Sequence, residues 1–387
     1  NYWSEVMNRR KFLALVGGGV VVAASGGYAA TRTPNKALAP WGQTGVYTDP
    51  RMNALSYAIL APNPHNRQPW TIELIGDDQV LIGFDPDRQL PETDPFDRQL
   101  TIGMGCFVEL MVMAANASGY EVELNLFPEG VDDNELSGRP VARARFVESS
   151  VVKPDPLFAH VLNRRSTKEA HDVSKPVSEQ ALASIVSAGR NQTKLDGTVR
   201  ASDLEYWRKT TLDAMAIEID TPRTYRESVD LMRIGKAEIN ANPDGIELPG
   251  LMMDVMRVTG LMSREASMDK SSMAFQSGRD IVLAPLATSM GFVWMTTPDN
   301  SRLSQIAAGR DWVRANLAAT SLGLAFHPNS QILQEYPEMK AHYDEVHNRL
   351  APEGGTVQML VRIGYCAPVG PTPRWPLETR IIGARTA

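Results

Sequence analysis

Ala61-Pro62-Asn63-Pro64-His65-Asn66-Arg67-Gln68-Pro69-Trp70 packs three prolines, three amide side chains and a tryptophan into ten residues. No helix continues through such a run, because each proline fixes φ and removes a backbone donor. Upstream, Met52 to Leu60 has apolar residues at helical spacing. Downstream, Thr71 to Gly76 and Gln79 to Phe84 read as two strands around Asp77-Asp78. The run is therefore a helix-to-strand loop. Pro69 fixes its turn, Trp70 seats it against a core, and Asn63, Asn66 and Gln68 are left to answer a ligand edge of mixed donors and acceptors.

Nearly a hundred residues later comes Asn163-Arg164-Arg165-Ser166-Thr167-Lys168, at the end of the helix expected from Pro156 to Arg165. Two arginines, a hydroxyl and a lysine form an anion-binding set, since the planar guanidinium pairs with two phosphate oxygens and the ammonium adds a mobile charge. Near the carboxyl end, Gln358 to Tyr365 reads as a strand, and Pro371-Thr372-Pro373-Arg374-Trp375-Pro376-Leu377 brings one more cation.

These three segments resemble the flavin-binding motifs of the nitroreductase superfamily: N-x-Q-P-W, R-R-S-x-R and the closing strand with its P-R-R-P-L segment. The family's order is inverted, since R-R-S ordinarily precedes N-x-Q-P-W. The resemblance implies an α+β, FMN-binding fold in which two half-units are fused as a pseudo-dimer around long central helices. It is similar to the Acg-like branch and covers about Met52 to Ile382. The implied FMN-binding residues are Asn63, Asn66, Gln68, Arg164, Arg165, Ser166, Lys168 and Arg374. Asn63 stands where the family has serine, Lys168 where it has the final arginine, and Trp375 where it has the second arginine of P-R-R-P-L. By resemblance, Thr296 to Asn300 lies near the flavin ring.

An internal repeat accompanies the inversion. A long buried helix is expected over Asp97 to Gly119, followed by strands Glu121 to Phe127 and Val141 to Val147. Gly105, Ala114-Ala115 and Gly119 in that helix match Gly309, Ala318-Ala319 and Gly323 in a second one, at the same intervals. Upstream, Ala54-Leu55 to Ala61 matches Ala181-Leu182 to Ala188. Small residues at helical spacing let two backbones approach closely. The copies are unequal: Ala61 to Gly105 spans 44 residues and Ala188 to Gly309 spans 121. The expected division is a first half over 51–155 and a second over 156–387. The second half carries a helical insert at about 203–299, whose Met-rich Leu251 to Met273 forms either a lid or a buttress. The first half holds the amide loop and only Arg51 ahead of it. The second holds Arg-Arg-Ser and Arg374, but reads Gly189-Arg190-Asn191-Gln192-Thr193 after Ala188. One FMN per chain follows.

The composition, 43% hydrophobic and 22% charged, is that of a folded protein. A net charge of −6 leaves no footprint for nucleic acid. Cys106 and Cys366 read as buried small hydrophobes with nothing requiring a disulfide. His342 and His347, five apart on a helix, do not share a face and read as a solvated segment, not a metal site. No side chain is expected to act as acid or base, because the flavin carries the chemistry.

Asn8-Arg9-Arg10-Lys11-Phe12-Leu13 before the apolar run Ala14 to Ala30 resembles a twin-arginine export signal, with Met7 as the start. Residues 7–30 are expected to be a signal or a membrane anchor, and 31–50 a linker. The protein is then periplasmic, or tethered to the outer face of the cytoplasmic membrane, and monomeric because the family dimer is made within one chain. It transfers hydride or electrons to a small-molecule acceptor, supplied by a quinol or a redox protein, since NAD(P)H is not expected outside the cytoplasm. The alternatives are a protein that sequesters FMN without turnover and a degenerate flavin fold kept as an interaction module.

Overall fold

The computed structural model describes residues 33–132 and 135–385. The expected export segment, 7–30, lies outside the described residues. The stretch read as a linker is corrected at once: Asn35–Gly42 is a helix, α1. Its prolines explain the misreading. Pro34 sits at the cap, where a missing donor costs little, while Pro40 lies inside the helix and gives up one intrahelical hydrogen bond.

The first unit follows. Asp49 caps α2, Pro50–Ala58, with its carboxylate on the Arg51 amide. Strands β1 (Trp70–Ile75) and β2 (Gln79–Phe84) form a hairpin. Helix α3, Arg98–Ala117, is long and apolar enough to cross a bilayer, but it is buried and therefore a core helix. Strands β3 (Tyr120–Leu126) and β4 (Ala142–Glu148) complete the unit. Pro156–Asn163 is a 3-10 stretch, tighter than the α-helix expected there.

The second unit repeats this order: α4 (Glu179–Val186), β5 (Lys194–Thr198), an insert, β8 (Gly291–Thr297), the long helix α11 (Arg302–Ser321), β9 (Ala325–Pro328), α12 (Lys340–Leu350) and β10 (Thr356–Gly364). The insert occupies 199–290, between β5 and β8. Its expected end near 299 is too late because Gly291–Thr297 is a sheet strand. It holds α5 (Ala201–Asp220), α6 (Pro222–Asp230), β6 (Met232–Ile234), α7 (Gly235–Ala241), β7 (Ile246–Leu248), α8 (Leu251–Val258), α9 (Arg264–Met268) and α10 (Met273–Leu283). It closes a small core of its own around Met215, Tyr225, Val229 and Phe275.

The two antiparallel sheets have one topology. The first is ordered β1-β2-β4-β3 and the second β5-β8-β10-β9, each strand in the place of its counterpart. The last strand, β11 (Ile381–Arg385), crosses from the second unit to pair parallel with β1. Between the sheets α3 and α11 pack closely. A Cβ on Gly105 would stand 2.3 Å from the Ile306 carbonyl, and one on Gly309 would stand 1.9 Å from that of Ile102. Only glycine permits this crossing, and the two helices exchange the same contact. Cys106 is buried here, its thiol donating to the Gly309 carbonyl at 3.1 Å. Cys366 differs from expectation: it lies beyond β10 and is half-buried. His347 ties α12 to β10 by accepting from the Val357 amide at 3.0 Å.

Candidate functional site

The loop after α2 is set by its own amides. The Asn63 Oδ1 accepts from the Gln68 amide at 2.7 Å, and its Nδ2 donates to the Ala61 carbonyl at 3.1 Å. His65, Asn66 and Gln68 take positive φ, a costly conformation outside glycine and one that a built site retains. Three distant parts of the sequence then meet at one carbonyl. Leu60 O accepts from the Arg164 Nη2 at 3.0 Å and from the Arg374 Nη2 at 3.1 Å. Arg374 also donates to Asn66 Oδ1 at 2.8 Å and to Ala61 O at 3.1 Å. The inverted segments are thereby brought together.

Among the described residues, no carboxylate lies within ion-pair distance of these two cations. Arg164 and Arg374 are 3% and 2% exposed, and neither forms an ion pair with a described residue. The Nε hydrogens of Arg164, Arg165 and Arg374 are all buried and have no protein partner. Burial, reinforced by the Arg164 charge, pushes Arg374 down to about 9; burial pushes Arg164 down to about 10. A buried guanidinium without a counter-charge is expensive; Arg164 and Arg374 are buried, and Arg165 beside them is half-buried. Arg165 stacks on Trp41 of α1, its carbon 4.7 Å from the ring centroid, and that ring donates to the Thr372 carbonyl at 2.8 Å. The segment read as linker thus walls the site. Ser166 Oγ accepts from the Arg164 Nη1 at 3.4 Å.

Lys168 is exposed, and desolvation by the protein around it lowers its ammonium below the usual lysine range. Glu247 of the insert faces it: burial raises that carboxyl to about 7, opposed by the charges of Arg374 and Lys168. The backbone of the Lys168 loop is fixed from behind. Arg362, buried in β10, donates to the Lys168 and Glu169 carbonyls at 3.1 and 2.7 Å and to His327 Nδ1 at 2.7 Å. The apolar run of β10 signals a core strand and hides this cation.

Gln68 takes a different part from the expected one. It is fully buried, its Nε2 donates to Pro243 O at 2.7 Å, and its Oε1 accepts from the Trp375 amide at 2.9 Å. Both ends of the amide are committed to protein, so Gln68 positions the loop. Pro243 belongs to the Asn242-Pro243-Asp244-Gly245 turn of the insert. Asp244 of that turn pairs with Arg88 and Arg233 at 3.0 and 2.7 Å and accepts from the Trp375 ring at 3.3 Å. The insert is therefore docked on the loop, which no local sequence signal announced. Among the described residues the Thr296 to Asn300 stretch is not hydrogen-bonded to these arginines: its bonds run to Lys194, to Gln305 at the start of α11, to Glu335 and to Gln358 of β10. Arg51 is consumed by Asp49 and the Gly76 carbonyl.

No protein-family model matches the chain. Among curated proteins, it is 24% identical over 336 residues to the Mycobacterium tuberculosis protein named "Putative NAD(P)H nitroreductase Rv3131", covering 84% of this chain and 91% of that one. It is 26% identical over 344 residues to "Putative NAD(P)H nitroreductase acg" from the same organism, covering 87% and 96%. Among solved structures, the FMN-dependent nitroreductase NfnB of Mycobacterium smegmatis, in complex with NADPH, aligns at 15% identity and a TM-score of 0.35, covering 58% of this chain and 96% of that one. A Desulfitobacterium hafniense nitroreductase with bound FMN aligns at 15% and 0.36, covering 59% and 97%.

Proposed function

We propose that the chain is an FMN-dependent oxidoreductase of the nitroreductase type, with one FMN held where the arginines of the second unit meet the amide loop of the first. The observation that carries this reading is the convergence of Arg164 and Arg374 on Leu60 O, with three buried Nε hydrogens left over. A phosphate monoester supplies the missing acceptors and charge. Arg164, Arg165 and Arg374 would hold the phosphate, with Ser166 beside them. Asn66 orients Arg374, while Asn63 and Gln68 fix the loop. Lys168 would meet the polar edge of the ring. FMN, when bound, supplies two-electron exchange with a stacked small molecule; the chain binds, orients and tunes it.

The names of the M. tuberculosis relatives support the oxidoreductase reading. The inverted motif order and the equal strand order of the two sheets support a fused pseudo-dimer that works as a monomer. The twin-arginine resemblance of residues 7–30 is the support for export, periplasmic or membrane-tethered, and with it for a quinol or redox-protein electron donor.

The test is the visible spectrum and FMN content of the purified full chain. One FMN per chain is expected. Two would refute the split site, and none would favour the degenerate fold. Anaerobic mixing with NADPH and with a soluble quinol then identifies the donor class.

A further inference from the structure

Helix α1 reaches the arginine cluster through one side chain, Trp41. The Arg165 guanidinium carbon lies 4.7 Å from a ring centroid of Trp41, and that of Arg374 lies 5.8 Å from it. One aromatic side chain thus serves two cations that come from opposite ends of the second unit. The ring nitrogen donates to Thr372 O at 2.8 Å, and the Thr372 hydroxyl accepts from Arg374 Nη1 at 2.7 Å. The backbone ties the same segment down: Ala37 O accepts from the Arg374 amide at 2.9 Å, while the Ala37 amide donates to Asn240 Oδ1 at 3.0 Å. Helix α1 is therefore strapped both to the stretch that carries Arg374 and to the insert.

Guanidinium groups set beside one another repel, and burial raises the cost. Burial first, then the Arg164 and Arg165 charges, act on Arg374. The negative face of an indole offsets part of that repulsion. It covers the flat side of a guanidinium and leaves the N–H edge available. The Nε hydrogens of Arg165 and Arg374, which have no protein partner, belong to those edges. Donors of this kind suit a compact, multiply charged oxyanion, and a neutral ribityl hydroxyl gains far less from them.

Resting on the flavin reading above, we propose that Trp41 is a positioning residue through which the chain selects a phosphorylated flavin over riboflavin. It holds Arg165 and Arg374 near one another with their Nε hydrogens uncommitted, so that phosphate binding does not have to order them. The coupling is reciprocal: a phosphate that fixes the two arginines also fixes the ring they both contact, and with it α1.

The experiment uses the full chain, stripped of flavin and titrated with FMN and with riboflavin by flavin fluorescence. Trp41 also packs against the main core, so the variant is Trp41→Leu, which keeps an apolar side chain and removes the ring. Its FMN affinity is expected to fall about tenfold with riboflavin affinity unchanged. Trp41→Phe, which restores a ring, should recover most of that loss. In wild type, amide hydrogen exchange over 35–42 should slow with FMN and not with riboflavin; equal slowing by both would break the coupling to α1. Equal losses for the two flavins, or an unchanged FMN affinity in Trp41→Leu, would overturn the role of Trp41 while leaving the flavin reading intact. A wild type that binds both flavins equally would overturn the phosphate site and the role of Trp41 with it. A wild type that binds neither would overturn the flavin reading. Inorganic phosphate then tests Trp41 alone: it should raise the melting temperature of wild type more than that of Trp41→Leu, and an equal rise would sink the inference.

Discussion

The loops after α2 and α4 face the same problem and resolve it in opposite ways. In the second unit, Ala188 O accepts from Arg314 Nε at 2.8 Å, and the other two nitrogens of that guanidinium go to Glu109 and Asp155 at 2.8 and 2.6 Å. Asp311, fully buried, collects the Arg190 and Asn191 amides and the Thr193 hydroxyl. Every donor there is matched. In the first unit, Ala61 O and Leu60 O accept from Arg374 and Arg164, and no carboxylate follows. Were these arginines only caps for the helix end, their Nε hydrogens would be used as the Arg314 Nε is. Equivalent backbone thus carries a finished ion network at one position and an incomplete one at the other. The incomplete network is the place proposed above for the FMN phosphate.

The largest break in this contrast comes from replacing Arg164 and Arg374 together by alanine. Two charge-assisted contacts are lost, roughly 3–6 kcal/mol of binding, and the purified variant should be colourless. Retained FMN would place the phosphate elsewhere. At the finished position the same kind of deletion should act on folding. Glu109→Ala leaves Arg314 with Asp155 alone and deprives Arg310, 2.7 Å from Glu109, of its partner. Denaturant unfolding should show a loss of about 3 kcal/mol, with FMN per folded chain unchanged. A loss of flavin in this variant would erase the distinction between the two loops.

The smallest effect is a pH dependence at the incomplete position. The Glu247 carboxyl is raised to about 7 by burial, so it is neutral below that value and anionic above it. Ionised, it would compete with the proposed phosphate for Arg374 and with the ring edge for Lys168. Relative to Glu247→Gln, wild-type FMN affinity should fall by about tenfold as pH rises through neutrality, read by fluorescence titration. The same raised value makes Glu247's contribution to folding stability full below its unfolded pKa and lost as pH rises through about 7. An identical pH profile in the two proteins would remove Glu247 from the site.

Much of the architecture was legible along the chain. The long helices, the first hairpin and the matched glycines rest on short-range rules: period, turn residues and small side chains at helical intervals. The motif segments were legible for the same reason, since each is a local pattern with its own chemistry. Helix α1 was not, because its prolines imitate a linker and its helicity is supported by docking: Ala37 pairs with Arg374 N and Asn240 Oδ1, and Trp41 lies under Arg165. The commitment of Gln68 to Pro243 and Trp375, and the seat of the insert on that loop, depend on residues 175 and 307 positions away.

By itself, then, the sequence determined the parts: an amide loop, a basic segment, a closing arginine, and two copies of one helix-and-strand unit around paired glycines. Tertiary structure alone decided which cations are paired. Arg314 and Arg374 are both buried arginines reaching a carbonyl after a helix. They differ only in which carboxylates the fold brings within reach, and a charge balance over such distances leaves no mark on local sequence.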